Sequence, residues 1–150
     1  LPTLAENKKT VALACDHSGF AAKQKFKELL DKKQIKYIDC GTYSTNNCDY
    51  SSFIKSAAKT VLEKKAQLGV VFCRSGQGVN IAANKIKGIR SAWVNNTWLA
   101  EQAILHNCSN FFAISEKLNN EESMNQIIDA WLNTTFQGGR HQTRLMKSES

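Results

Sequence analysis

The sequence predicts an α/β protein, one domain built on a five-stranded parallel sheet with helices on both faces. Three observations lead there. Short apolar runs alternate with longer stretches of helical periodicity five times along the 150 residues. Those runs are apolar on both sides, as in strands covered on two faces. A single proline, Pro2, leaves every helical stretch unbroken. No repeat, low-complexity linker or change of composition divides the chain, so residues 1–150 are expected to form a single domain.

The elements follow in order. VALACD (11–16) reads as the first strand, and residues 20–30 place Ala22, Phe26, Leu29 and Leu30 on one helical face. IKYIDCG (35–41) is the second strand, ending on glycine. Phe53, Ile54, Ala57, Ala58, Val61 and Leu62 form the next helical stripe. LGVVFC (68–73) is the third strand, and the helix after it carries Val79, Ile81, Ala82 and Ala83. IRSAWV (89–94) is the fourth strand, followed by a helix over 98–106. FFAIS (111–115) is the fifth. Met124, Ile127, Ile128, Trp131 and Leu132 mark the last helix, with Asn119 or Asn120 as its N-cap. The tail over 136–150 has Gly138, Gly139, Arg140, His141 and Arg144 and no apolar stripe. It reads as a basic segment that is either loose or wrapped over a ligand or partner.

Composition narrows the function. Apolar content of 42% and charged content of 22% are ordinary for a soluble globular protein. No run of 18 apolar residues exists to span a membrane, and no charged-then-apolar leader is visible. The five cysteines (Cys15, Cys40, Cys48, Cys73 and Cys108) are odd in number and spaced for neither zinc nor a CxxC redox pair. They read as reduced thiols, which implies a cytoplasmic protein. The net charge of +7 favours anionic partners. Lys23, Lys25, Lys27, Lys32 and Lys33 scatter over a helix face and read as solvated surface. No nucleic-acid motif is present, so nucleic acid is not an expected partner. No histidine belongs to a metal-binding pair, and no GxSxG elbow marks a serine hydrolase.

Ligands of open parallel sheets sit at the carboxyl ends of strands. Cys73 ends the third strand and faces Arg74, Ser75, Gly76, Gln77 and Gly78, a glycine turn entering a helix. Backbone N–H groups in such a turn converge on an anion and favour a reactive thiolate nearby. The turn is neither a Walker loop nor a dinucleotide fingerprint. It also admits a plain structural reading, with Cys73 buried and inert. Asp16 and His17 follow the first strand, where Asp16 could simply cap a helix. Tyr50 follows the second. His106 and Asn107 end a helix, where His106 could serve only the terminal carbonyls. Lys117 follows the fifth strand, and Arg140, His141 and Arg144 could be no more than solvated charge.

The combination of ACDHSGF, IDCGTYS, CDY, CRSGQGVNIAANK, GIRSAW, LHNCSN and DAWLNTTFQGGRHQTR, running from Val11 to Arg144, resembles the ribose/galactose-phosphate isomerase family, type B ribose-5-phosphate isomerases above all. The resemblance implies a Rossmann-like three-layer fold and aldose–ketose isomerisation without metal or organic cofactor. It implies a homodimer or dimer of dimers whose active sites are shared, and a role in the pentose phosphate pathway. By position, Cys73 is then the base at C2, and Ser75 steadies the proton between the two oxygens. The backbone over Gly76, Gln77 and Gly78 becomes the anion hole for a cis-enediolate, and His106 opens the sugar ring. Asp16, Tyr50 and Asn107 would meet sugar oxygens, and His17, Lys117, Arg140, His141 and Arg144 the phosphate end.

Val79 stands where a second branch of the family carries a glutamate base, which assigns the chain to the cysteine-using branch. Four positions depart from the family pattern. Arg74 replaces a usual glycine, Ser51 a usual proline, Cys108 a common polar residue and Lys117 a phosphate-binding arginine. Lysine keeps the charge but loses the bidentate fork. A six-carbon sugar phosphate such as allose or galactose 6-phosphate is the alternative substrate. A non-catalytic sugar-phosphate-binding protein is the alternative class.

Overall fold

The computed structural model describes residues 8–46 and 49–149. Cys48, one of the five cysteines and part of the CDY motif, lies outside them. The chain order is β1 (Thr10–Cys15), a 3₁₀ turn (His17–Gly19), α1 (Phe20–Lys32), β2 (Lys36–Asp39), α2 (Ser51–Leu62), β3 (Leu68–Cys73), α3 (Gln77–Asn84), β4 (Ser91–Trp93), α4 (Thr97–Asn107), β5 (Phe111–Ser115), α5 (Glu121–Asn133) and α6 (Arg140–Glu149).

The five strands form one sheet in the order β2-β1-β3-β5-β4, every neighbouring pair parallel. Alternate residues of each strand enter opposite cores. Val11, Leu13 and Cys15 of β1 face α1, α4 and α5, packing with Phe26, Ile104, Ile127 and Trp131. Ala12 and Ala14 face α2 and α3, packing with Ile54, Ala57, Val79 and Ala83. Helices therefore cover both faces, as the double-sided apolar runs predict. Each large side chain withdrawn this way, such as Phe26 or Phe72, contributes about 1.5–3 kcal/mol.

The central strands β1, β3 and β5 are buried along nearly their whole length. The edge strands are shorter than their apolar runs suggest. β2 has four residues and β4 three, and neither contains a buried residue. Ile89 and Val94 are buried just outside β4; Val94 N–H still donates to Ala113 C=O of β5 at 2.9 Å, whereas Ile89 N–H donates locally to Ile86 C=O at 3.1 Å and its side chain serves packing.

Two expectations are corrected. The segment after Gly139 is a helix, α6, with Leu145 half-buried against the body and Arg90 paired to Glu149 at 3.1 Å. Its lack of any buried residue explains why no apolar stripe announces it. Lys23 is not solvated surface. Its side chain is 0% exposed, with Nζ 2.7 Å from Asp39 Oδ1 and donating also to the Thr42 carbonyl.

Candidate active site

The connection from β1 to β2 runs to one side of β1 and the next strand, β3, lies on the other. The crevice above β1 and β3 is thus the switch point where such sheets bind ligands. The structure opens a cleft of about 240 Å³ there, lined by Asp16, Ser18, Tyr50, Cys73, Arg74, Ser75, Gly78 and Val79.

Asp16 leaves β1 in extended conformation and caps the 3₁₀ turn. Its Oδ1 accepts from Gly19 N–H at 2.9 Å and from Ser18 Oγ at 2.6 Å. The capping role is therefore real, and it also fixes the carboxylate at the cleft wall. His17, the next residue, is exposed and is not among the residues lining the cleft. Tyr50 stands at the N-terminus of α2, half-buried against the α2/α3 core.

Cys73 is the last residue of β3 and only 8% exposed. Gly76 N–H donates to its sulfur at 3.1 Å. That geometry needs Gly76 at φ 79°, ψ −7°, the left-handed region that glycine enters without penalty. Adding a Cβ would bring it 3.0 Å from Ser115 N and 3.1 Å from Trp93 Nε1. The loop is further held by Trp93 Nε1 donating to Ser75 C=O at 2.8 Å and by Ser115 Oγ donating to Arg74 C=O at 2.7 Å. Gln77 N–H donates to Ser75 Oγ at 3.2 Å. The N–H groups of Gly76 and Gln77 thus already have acceptors, whereas those of Gly78 and Val79 have none among the described residues. A helix N-terminus with two open donors beside a buried sulfur suits an anion.

Behind the loop, a second cavity of about 420 Å³ is lined by Arg74, Ser75, Gln77, Trp93, Ser115, Lys117 and Leu118. Lys117 is therefore close to the loop but outside the cleft proper, and Arg74 belongs to both cavities.

The remaining predicted residues gather elsewhere. His106 and Asn107 end α4, which runs antiparallel to the strands from Asn96 at their carboxyl ends. Ten residues beyond the Asn96 cap, at 1.5 Å each, His106 lies about 15 Å toward the opposite edge of the sheet. There Cys108 C=O accepts from Arg90 Nε at 2.8 Å, just before β4 begins. His141, near the start of α6, stacks on His106 with ring centroids 4.3 Å apart and planes 15° apart. Loss of hydration, then the positive charges of His106, Arg140 and Arg144, hold the His141 imidazole below its ordinary value. Asn107 also lines a cavity of about 580 Å³ between the start of β4 and α6. The structure thus makes two clusters on one chain: Asp16, Tyr50, Cys73 and the glycine turn at the carboxyl edge, and His106, Asn107, Arg140, His141 and Arg144 at the other.

Sequence reasoning gave no role to Ser18, bonded to the Asp16 carboxylate, or to Trp93, which pins the loop from an edge strand. Ser18 was legible as the second residue after Asp16 in an Asp-x-Ser turn. Nothing near Trp93 in sequence points to residue 75. Among the described residues, no three His, Cys, Asp or Glu side chains converge as metal ligands would, and no helix is long and apolar enough to cross a membrane.

A parallel α/β sheet with a buried cysteine under a glycine turn at its switch point is an arrangement suited to an enzyme that binds a small anion. The particular family follows from comparison with known proteins. The Ribose/Galactose Isomerase family model matches residues 11–148, and the chain belongs to that family of aldose–ketose isomerases. The chain is 34% identical to the Escherichia coli K12 ribose-5-phosphate isomerase B over 91% of its own length and 92% of the relative's. The Thermotoga maritima ribose 5-phosphate isomerase structure superposes with a TM-score of 0.91 at 36% identity, covering 95% of this chain and 99% of that one. The Mycoplasma genitalium ribose-5-phosphate isomerase B structure, with bound ribulose-5-phosphate, gives 0.86 at 33% identity over 96% of each chain.

Proposed function

We propose that this chain interconverts ribose 5-phosphate and ribulose 5-phosphate, in the non-oxidative pentose phosphate pathway, with Cys73 as the carbon base. One observation carries the reading: the Cys73 sulfur, in a cleft that Asp16 and Tyr50 also line, sits beside a helix N-terminus with open N–H groups. As a thiolate, Cys73 takes the C2 proton of the open-chain aldose. The C–H electron pair forms the C1–C2 double bond, and the carbonyl π pair moves onto O1. The negative enediolate then lies over the N–H groups entering α3. A donor aimed at such developing charge is worth about 3 kcal/mol of barrier. Ser75 steadies the proton exchanged between O1 and O2, and the proton on sulfur returns at C1. Asp16 and Tyr50 hold sugar oxygens, and the phosphate end meets His17, Lys117, Arg140, His141 and Arg144.

His106, the ring-opening group, stands at the end of α4 away from the carboxyl ends of the strands, where Cys73 lies. We read the protein as a homodimer in which the His106, Asn107, Arg140, His141 and Arg144 cluster of one protomer completes the cleft of its partner. The stacking of His141 on His106 supports a preformed second half-site.

The test is turnover of ribose 5-phosphate by chelator-treated protein, with allose 6-phosphate and galactose 6-phosphate alongside and Cys73→Ala as control. Conversion of the pentose is expected. A general base contributes about 10²–10⁴-fold, so Cys73→Ala should lose that much of kcat while still binding the sugar phosphate. Conversion of a hexose phosphate alone would move the substrate. A Cys73→Ala variant at near-parental rate would remove the cysteine from the mechanism.

A further inference from the structure

We propose that Lys23 is a positioning residue for the cleft: it clamps the Gly41–Thr42 turn to the end of β1, and through that turn sets where Asp16 and Tyr50 stand. A buried ammonium is costly and persists only where its partners compensate it. Lys23 has such a set. Nζ donates to Asp39 Oδ1 at 2.7 Å and to the Thr42 carbonyl, and it faces the rings of Phe20 and Tyr43 at 5.5 and 5.4 Å from their centroids.

The contacts continue toward the cleft in two directions. Asp39 Oδ1, the oxygen bonded to Lys23, also accepts from Gly41 N–H at 2.9 Å, while Oδ2 accepts from Lys27 at 3.0 Å. Gly41 C=O in turn accepts from Cys15 N–H at 2.8 Å, and Thr42 N–H donates to Cys15 C=O at 3.2 Å. The turn is therefore bonded on both sides to the residue immediately before Asp16. On its other flank Gly41, at φ 105°, lies beneath the ring of Phe53, so close that a Cβ there would stand 2.5 Å from Phe53 Cδ1. Phe53 belongs to the first turn of α2, and its N–H donates to Tyr50 C=O at 3.1 Å. One cation thus fixes one dipeptide, and that dipeptide abuts the supports of two cleft walls. Lys25 and Lys32, on the same helix, pair only with exposed glutamates and reach neither wall.

A residue that merely stabilised the fold would loosen the whole chain evenly. A positioning residue opens the cleft first. The variant is Lys23→Met, which keeps the length of the stem and removes the charge. The readout is peptide-resolved alkylation by iodoacetamide, with Cys73 compared to the buried Cys108 as internal reference. Alkylation of Cys73 should rise about fivefold relative to Cys108, a local rather than global opening. For ribose 5-phosphate, kcat/KM should fall about tenfold or more, since small misplacements of binding groups cost that much. Tyr50→Phe should cost less in the Lys23→Met background than in the parent, the non-additivity of residues acting as a unit.

An unchanged Cys73 to Cys108 ratio with kcat/KM within about twofold of the parent would overturn the proposal, because a displaced wall must register in both. Additive effects of the two substitutions would overturn it too. If Lys23→Met does not fold, Asp39→Asn is measured in the same way: a raised ratio with a lowered kcat/KM supports the clamp, and parental values of both overturn it. The kinetic arm rests on the isomerase reading; the alkylation arm does not. A parent that fails to turn over ribose 5-phosphate sinks the proposed substrate and leaves the alkylation ratio to decide the role of Lys23.

Discussion

Two cysteines end adjacent strands in different surroundings. Cys73 meets a backbone N–H at the cleft. Cys15 is sealed among Phe26, Phe72 and Leu30, and burial pushes its thiol from 9.0 up to about 11, partly offset by the nearby Lys23 charge. Cys15 is therefore a neutral, unreactive thiol at physiological pH. A thiol whose folded value is raised holds its proton when the unfolded chain has already lost it. Its contribution is complete below pH 9.0 and is lost as pH rises toward about 11. Urea unfolding at steps across that window should show stability falling with pH, and Cys15→Ala, though less stable at neutral pH, should show a shallower fall. An equally steep decline in the variant would assign the effect to other groups. Asp16 and Cys73 were legible because each stands at the carboxyl end of an apolar strand, and Tyr50 because it belongs to the CDY motif before α2. Lys23 was not. It sits among other helix lysines, and its partner Asp39 is 16 residues away, across a chain reversal that a one-dimensional pattern does not report.

At the scale of elements, every predicted strand and helix exists, and the errors lie at ends and in one omission. Asn120 is the cap of α5: its side chain accepts from Ser123 N–H at 2.9 Å while Ser123 Oγ accepts from Asn120 N–H at 2.9 Å. Asn120→Ala should cost about 1 kcal/mol, read as a lower urea midpoint with kcat unchanged, since no α5 residue lines the cleft at Cys73 or the cavity at Asn107. A loss of turnover without a loss of stability would show that α5 does more than support the sheet. The omission, α6, follows two glycines at φ 71° and 56° and buries nothing fully. Amphipathic pattern finds helices that bury a stripe; a short surface helix anchored by an ion pair and a stacked histidine escapes it. That helix places Arg140, His141 and Arg144 in one exposed basic cluster, which the sequence showed only as a run of charge.

For the molecule as a whole, the separation of the two clusters decides how many chains one site needs. If each cleft takes its His106 from the partner, Cys73→Ala and His106→Ala chains damage different halves. Each variant alone should be inactive. Mixed in equal amounts and allowed to exchange, they should recover about one quarter of parental activity, from the half of dimers that are mixed and the one intact site in each. No recovery, with subunit exchange shown by mass, would return the whole site to a single chain. The short outer strands carry a last consequence. A parallel sheet ends in rows of unpaired backbone groups that invite polymerisation, yet β2 offers four residues and β4 only three to an incoming chain. A neighbour adding there would gain too few rungs to persist, so chains of this protein have little footing for stacking into fibrils.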